Sequence, residues 1–119
     1  MKKYYQLSGN IKTALGVELT NPIVKVFLDI NNVTANGTVS ANYRCYASLQ
    51  AYQDGRDAFF GARQDNGAKV KTFKDFNFVD AGFTEVSTSN FPLVEKAMIE
   101  EFLVIPAEDI SIEDDPTAV

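Results

Sequence analysis

Histidine is missing from this 119-residue chain, and cysteine occurs once, at Cys45. The first absence removes the commonest general base and the usual nitrogen ligand of zinc, without forbidding carboxylate chemistry. The second rules out an internal disulfide. A nucleophilic Cys45 would need a base beside it. Its place on the apolar side of an expected strand reads instead as a buried, inert thiol. Long apolar runs are also lacking, since none approaches the ~20 residues of a membrane helix. The opening "MKKYYQLSGN" has two lysines but no apolar stretch behind them. No cleaved signal peptide is expected, and synthesis is expected in the cytoplasm.

Basic charge is scarce as well. Net charge is −5, and the segment from Glu108 onward carries Glu108, Asp109, Glu113, Asp114 and Asp115 with no lysine or arginine. Setting those five acids aside leaves residues 1–107 formally neutral. Such a body has no basic footprint for nucleic acid, and no membrane partner is expected. It also has little charge repulsion to keep copies apart.

None of the patterns G-x-x-x-x-G-K-[ST], G-x-G-x-x-G or G-x-S-x-G occurs, and no cofactor is expected. The carboxylates are spread over turns, a helix surface and the C-terminal tail, so the paired-carboxylate route of glycosidases has no converging residues. The chain reads as a non-enzyme with no catalytic residues. Asp54, Asp57 and Asp65 lack the spacing of a helical calcium loop. They stand among the turn formers Asp54-Gly55 and Asn66-Gly67, so no metal site is expected. Glu113, Asp114 and Asp115 read as a solvated acidic tail. The glycosylation-like Asn32-Val33-Thr34 and Asn36-Gly37-Thr38, and the C-terminal Thr117-Ala118-Val119, are short matches not expected to be used.

What is present is a globular composition, 45% hydrophobic, in a length that fits one domain with a real core. A single α+β domain over residues 1–107 is expected, followed by an acidic strand or tail over 108–119. The strongest pattern runs from 23 to 52. From Thr38 the odd positions read Val39, Ala41, Tyr43, Cys45, Ala47, Leu49 and Ala51, while the even ones are mostly polar. That is the period of a strand with one buried face. Val24, Val26, Leu28 and Ile30 make the matching face of a preceding strand. Asn36-Gly37 between them predicts a two-residue type I′ turn, which sets Ile30 opposite Tyr43, Leu28 opposite Cys45, Asp29 opposite Arg44 and Phe27 opposite Tyr46.

"TFKDFNFVD" predicts a third strand with Phe76 and Phe78 on one face and Asn77 on the other. "SNFPLVEKAMIEEFL" predicts a helix over about 91–103, capped by Ser89 or Asn90, with Val94, Ala97, Met98 and Phe102 as its core stripe. "EDISIE" adds a short final strand through Ile110 and Ile112. The N-terminal "KYYQLSGNIKTALGVELTNP" holds one short strand or extended segment, and Ala58-Phe59-Phe60 anchors a later loop on the core. The expected fold is an α+β antiparallel sheet, ordered β-β-β-α-β with an optional N-terminal strand and one principal helix on its apolar face.

The second face of the hairpin is unusually apolar for a surface. Ile23, Phe27, Tyr46 and Tyr52 need a cover, either the chain's own "KYYQL" or Phe59-Phe60 segments, or a neighbouring subunit. Tyrosine, phenylalanine and arginine are enriched at interface centres. Phe27, Arg44, Tyr46 and Tyr52 are therefore the candidate interface residues, and other copies of the chain the candidate partners, by face contact or by strand addition at an open edge.

Several stretches carry a resemblance. Gly16-Val17 and Pro22-Ile23-Val24-Lys25-Val26-Phe27 open the long hairpin, which closes near Tyr43-Arg44-Cys45-Tyr46-Ala47-Ser48. "FPLVEKAMIEEF" and Ala107-Glu108-Asp109-Ile110 follow. Over roughly Gly16 to Ile110 this layout resembles small structural proteins encoded among the tail and head–tail genes of tailed bacteriophages. Lys96-Ala97-Met98 stands where that group carries a tyrosine-leucine-lysine motif. The resemblance implies a non-enzymatic virion component of the tail, collar or head–tail region, made in the host bacterial cytoplasm, assembled in multiple copies with itself and neighbouring virion proteins. The competing expectation is a monomeric binding module that holds a small ligand or host protein on the aromatic face.

Overall fold

The computed structural model describes residues 3–12, 16, 18–28, 30–55, 62–63, 69–70 and 72–116. The fold is α+β, as the periodicities predict. Its main sheet is antiparallel with five strands in the spatial order β8-β5-β4-β1-β9. In chain order these are β1 (Lys3–Leu7), β4 (Ile23–Leu28), β5 (Thr38–Tyr46), β8 (Thr72–Asn77) and β9 (Ile110–Asp114). Two further two-stranded antiparallel sheets are β2 (Asn10–Lys12) with β3 (Glu18–Thr20) and β6 (Ala62–Arg63) with β7 (Lys69–Val70). Helix α1 (Leu49–Gln53) follows β5, and the principal helix α2 (Phe91–Phe102) precedes β9.

The core lies between α2 and the front of the sheet. Tyr5, Leu7, Val24, Val26, Val39, Ala41, Tyr43 and Cys45 meet Val94, Met98 and Ile99 of the helix there. Tyr43 stacks on Phe73 at 4.3 Å, and Phe73 on Phe102 at 5.3 Å. Pro92 occupies the first turn of α2, where its missing N–H costs no hydrogen bond. Asn90 takes the cap position, but its side chain makes no capping bond. Its amide instead accepts from Ser87 N–H and donates to the Glu85 carbonyl, fixing the turn before the helix.

The hairpin keeps its expected faces but not its register. Val26 faces Tyr43, Val24 faces Cys45, Leu28 faces Ala41, Phe27 faces Asn42 and Lys25 faces Arg44. Opposed numbers thus sum to 69 instead of 73 (26 + 43 for the first pair), and the Ile30–Tyr43, Leu28–Cys45 and Phe27–Tyr46 pairs do not form. Asp29, the expected partner of Arg44, lies outside the described residues. An even shift leaves every side chain on its own face, so the alternation could not distinguish the two registers.

The turn explains the slip. Gly37 N–H donates to the Thr34 carbonyl and Thr34 N–H to the Thr38 carbonyl, with Gly37 at φ 85°. This is a three-residue loop ending in a left-handed glycine, not a type I′ turn centred on Asn36-Gly37. A single 3-10 turn at Ile30–Asn32 takes up the remaining chain and carries Ile30 out to solvent.

Three further expectations change. Strand β5 stops at Tyr46 instead of running to Tyr52, because the Ser48 hydroxyl accepts from Ala51 N–H and caps α1. Strand β8 is bulged, with Asp75 at φ 57° and the pairing shifting between Val39 and Ala41. The bulge turns Phe73 inward together with Phe76, three residues apart, and Phe78 is buried just past the strand end. The N-terminal stretch supplies β1, β2 and β3 instead of one strand. The first of these fills the sheet between the hairpin and β9, with Tyr5 opposite Val24 on one side and Ile112 on the other. Phe59-Phe60, Asp57, Asp65, Asn66-Gly67 and Thr117-Ala118-Val119 lie outside the described residues.

Candidate functional site

The back of the sheet presents Ile23, Lys25 and Phe27 from β4, Asn42, Arg44 and Tyr46 from β5, and Tyr4 from β1, by simple alternation. Its two ends differ. At the end nearer α1, the cap at Ser48 turns the chain back, so that Leu49 and Tyr52 pack on Tyr4, Ile23 and Tyr46 as a second small core. The rings of Tyr46 and Tyr52 meet edge to face at 5.0 Å. Tyr46 is left only 8% exposed.

Within this cover lies an ion pair whose acid, Asp115, is expected from sequence in a solvated tail. Lys25 Nζ donates to Asp115 Oδ2 at 2.5 Å and to the Lys3 carbonyl at 3.0 Å. The Tyr52 hydroxyl donates to the same carboxylate oxygen at 2.7 Å. The Lys25 ammonium also stands 5.4 Å from the Tyr52 ring centroid. Both charged residues are buried. Two ions withdrawn from water are tolerable only when each is paired and hydrogen-bonded, and these are. Burial, and then the charges of Glu113 and Asp115, raise the pKa of the adjacent Tyr4 hydroxyl.

The other end of the back face stays open. Phe27 is 44% exposed, with the Arg44 guanidinium carbon 5.1 Å from its ring centroid. Asn42 beside them accepts from the Thr72 hydroxyl at 3.1 Å. Strand direction places Ile30 and Val79, both exposed, at this same end of the sheet. Of the four residues singled out from sequence, Phe27 and Arg44 thus form one exposed pair. Tyr46 and Tyr52 form another that is engaged inside the chain.

The interior of the front core holds the most perturbed carboxyl. The Tyr5 hydroxyl donates to Glu95 Oε1, and both residues are buried. Loss of water pushes the Glu95 pKa up to about 7, against the opposing effects of the Tyr5 hydrogen bond and the Lys25 charge. Burial also raises Tyr5 and holds the Cys45 thiol up at about 12, a protonated and unreactive state. Glu95 can store a proton, but packing encloses it. Among the described residues, no three acidic or cysteine side chains converge as a metal site, and no helix is long and apolar enough to cross a membrane.

Lys25, Asp115, Glu95 and Tyr5 were not selected from sequence, yet two of them had a signal. Lys25 interrupts an otherwise apolar face between Ile23 and Phe27. Glu95 starts the i, i+3, i+4, i+7 series Glu95, Met98, Ile99, Phe102. Asp115 had none, because its partner is ninety residues away in the chain.

Set against protein families, curated proteins and solved structures, the chain matches none of them.

Proposed function

We propose that this chain is a non-enzymatic structural component of a tailed-bacteriophage particle, acting in multiple copies. The phage assignment is supported by the resemblance of the hairpin, helix and closing Ala107-Glu108-Asp109-Ile110 described above. The assembly role is carried by one observation, the exposed Phe27 ring under Arg44 at the open end of a sheet face whose other end the chain itself covers. An aromatic residue backed by a guanidinium is typical of the energetic centre of a protein contact. Ile30 and Val79 are exposed apolar residues at the same end of the sheet.

Both sheet edges are poorly suited to simple strand addition. The β8 edge is bulged and the β9 edge carries Glu113 and Asp114. Face contact is the better-supported mode. Capture of a small ligand by the aromatic face has less support, because Tyr46 and Tyr52 pack on each other and the Tyr52 hydroxyl is donated to Asp115.

Light scattering behind a sizing column, over a rising concentration series, tests the reading. Oligomers are expected, weakened at least tenfold by Phe27→Ala with Arg44→Ala. Tyr46→Ala should instead lower the melting temperature. Monomers at every concentration, or oligomers indifferent to the Phe27 and Arg44 changes, would overturn the contact. Flanking genes for portal, tail-tube or fibre proteins are the expected genomic setting, and a setting of metabolic genes would overturn the phage assignment.

A further inference from the structure

The link from α2 to β9 is held against its own conformational preferences. Leu103 closes the helix, its N–H donating to the Ile99 carbonyl, and Val104 then turns the chain with φ 55°. That left-handed position is where helices usually place glycine. A β-branched residue there is a genuine outlier. Packing offers no compensation, since Val104 is 79% exposed. The next two residues favour the opposite arrangement. Ile105 precedes a proline and is steered to extended backbone, and Pro106 is already extended at φ −57°, ψ 144°. Valine and isoleucine also prefer extended strands. Val104-Ile105-Pro106 is thus intrinsically straight, and a single strained residue folds it back.

What lies beyond the hinge is a self-contained set of complementary contacts. Strand β9 pairs with β1 from Lys3↔Asp114 to Leu7↔Ile110. Ser8 N–H donates to the Asp109 carbonyl at 2.8 Å. Ile110 enters the front core, and Asp115 reaches Lys25 and Tyr52 on the back. Every one of these contacts can be remade with identical partners on a second copy. Strain in a short hinge is the recognised driver of such exchange.

We infer that β9, with Asp115 at its end, is exchanged between copies of this chain, the hinge at 103–106 opening so that Asp115 of one copy pairs with Lys25 of the next. Opening lets Val104 relax into extended backbone and spans roughly 13 Å over four residues. The buried ion pair sets the register, because a misplaced strand would leave both charges buried and unpaired. This rests on the multi-copy reading above and specifies how the copies are locked.

The test uses the Lys3↔Asp114 pair, whose side chains meet as an exposed ion pair at the outer edge. Full-length Lys3→Cys and Asp114→Cys variants are mixed, unfolded and refolded together at high concentration, then mildly oxidised. The buried thiol of Cys45 stays silent. A double variant carrying both changes shows whether the pair can bridge. The expected result is a mixed disulfide between the two variants, accompanied by oligomers in light scattering. Adding Val104→Gly should reduce its yield on the order of tenfold for each relaxed hinge. Oligomers without a mixed disulfide, when the double variant closes within its own chain, overturn strand exchange and leave assembly standing. Monomers throughout overturn both. A yield unchanged by Val104→Gly overturns the hinge as its cause.

Discussion

Glu95 and Lys25 are charged residues at core positions, and the two are accommodated differently. Glu95 keeps its proton to about pH 7 because burial penalises the anion. Its folded-state pKa is raised, so the stabilisation is complete below the ordinary carboxylate range near 4.5 and is lost as pH rises through 7. Urea unfolding should show stability falling by about 3 kcal/mol between pH 4.5 and 7.5. Glu95→Gln, which still accepts from Tyr5, should flatten that slope. Lys25 instead stays beside a buried carboxylate. Lys25→Ala should cost about 3–5 kcal/mol by taking the counter-charge from the buried Asp115 carboxylate, while Lys25→Met with Asp115→Leu should recover a large part. If the single and double variants unfold alike, the pair is not coupled.

At the scale of elements, the hairpin depends on a turn that the strand pattern did not specify. Gly37 combines φ 85° with a Cβ position 2.7 Å from Val79 Cγ2. Gly37→Ala should destabilise by about 2 kcal/mol, through backbone strain and the close contact together. Adding Val79→Ala should remove the Cγ2 contact, leaving the milder approach of its Cβ at 3.3 Å and the strain, and a complete rescue in thermal melts would show that backbone geometry contributes nothing. The observed register also sets Lys25 directly across from Arg44, which is ordinarily unfavourable for like charges. It is tolerated because the two heads diverge, Lys25 to Asp115 and Arg44 to the Phe27 ring.

For the whole molecule, Ile110–Asp114 and Asp115 belong to the folded body. Strand β9 covers the outer side of β1, and Asp115 neutralises Lys25 on the back face. Ending the chain at residue 107 should leave an open β1 edge and a buried unpaired ammonium. The truncated protein is expected to lose its cooperative melt in circular dichroism and to aggregate. A sharp melt within a few degrees of the full chain would mean that 108–119 is a tail after all.

Local order alone determined the α+β class, the two faces of the hairpin and the span of α2. Strand and helix periods are written in neighbouring residues, and Pro92 and the 38–46 alternation needed no distant partner to be read. Register, the Asp75 bulge, the place of β1 and the roles of Glu95, Lys25 and Asp115 were decided only in three dimensions. Even-numbered slips conserve the hydrophobic pattern, and a charge in an apolar stripe has no meaning until its partner is in place. The candidate contact divided for the same reason. Phe27 and Arg44 remained at the surface, whereas the cap at Ser48 folded Tyr52 onto Tyr46 and closed that end from within.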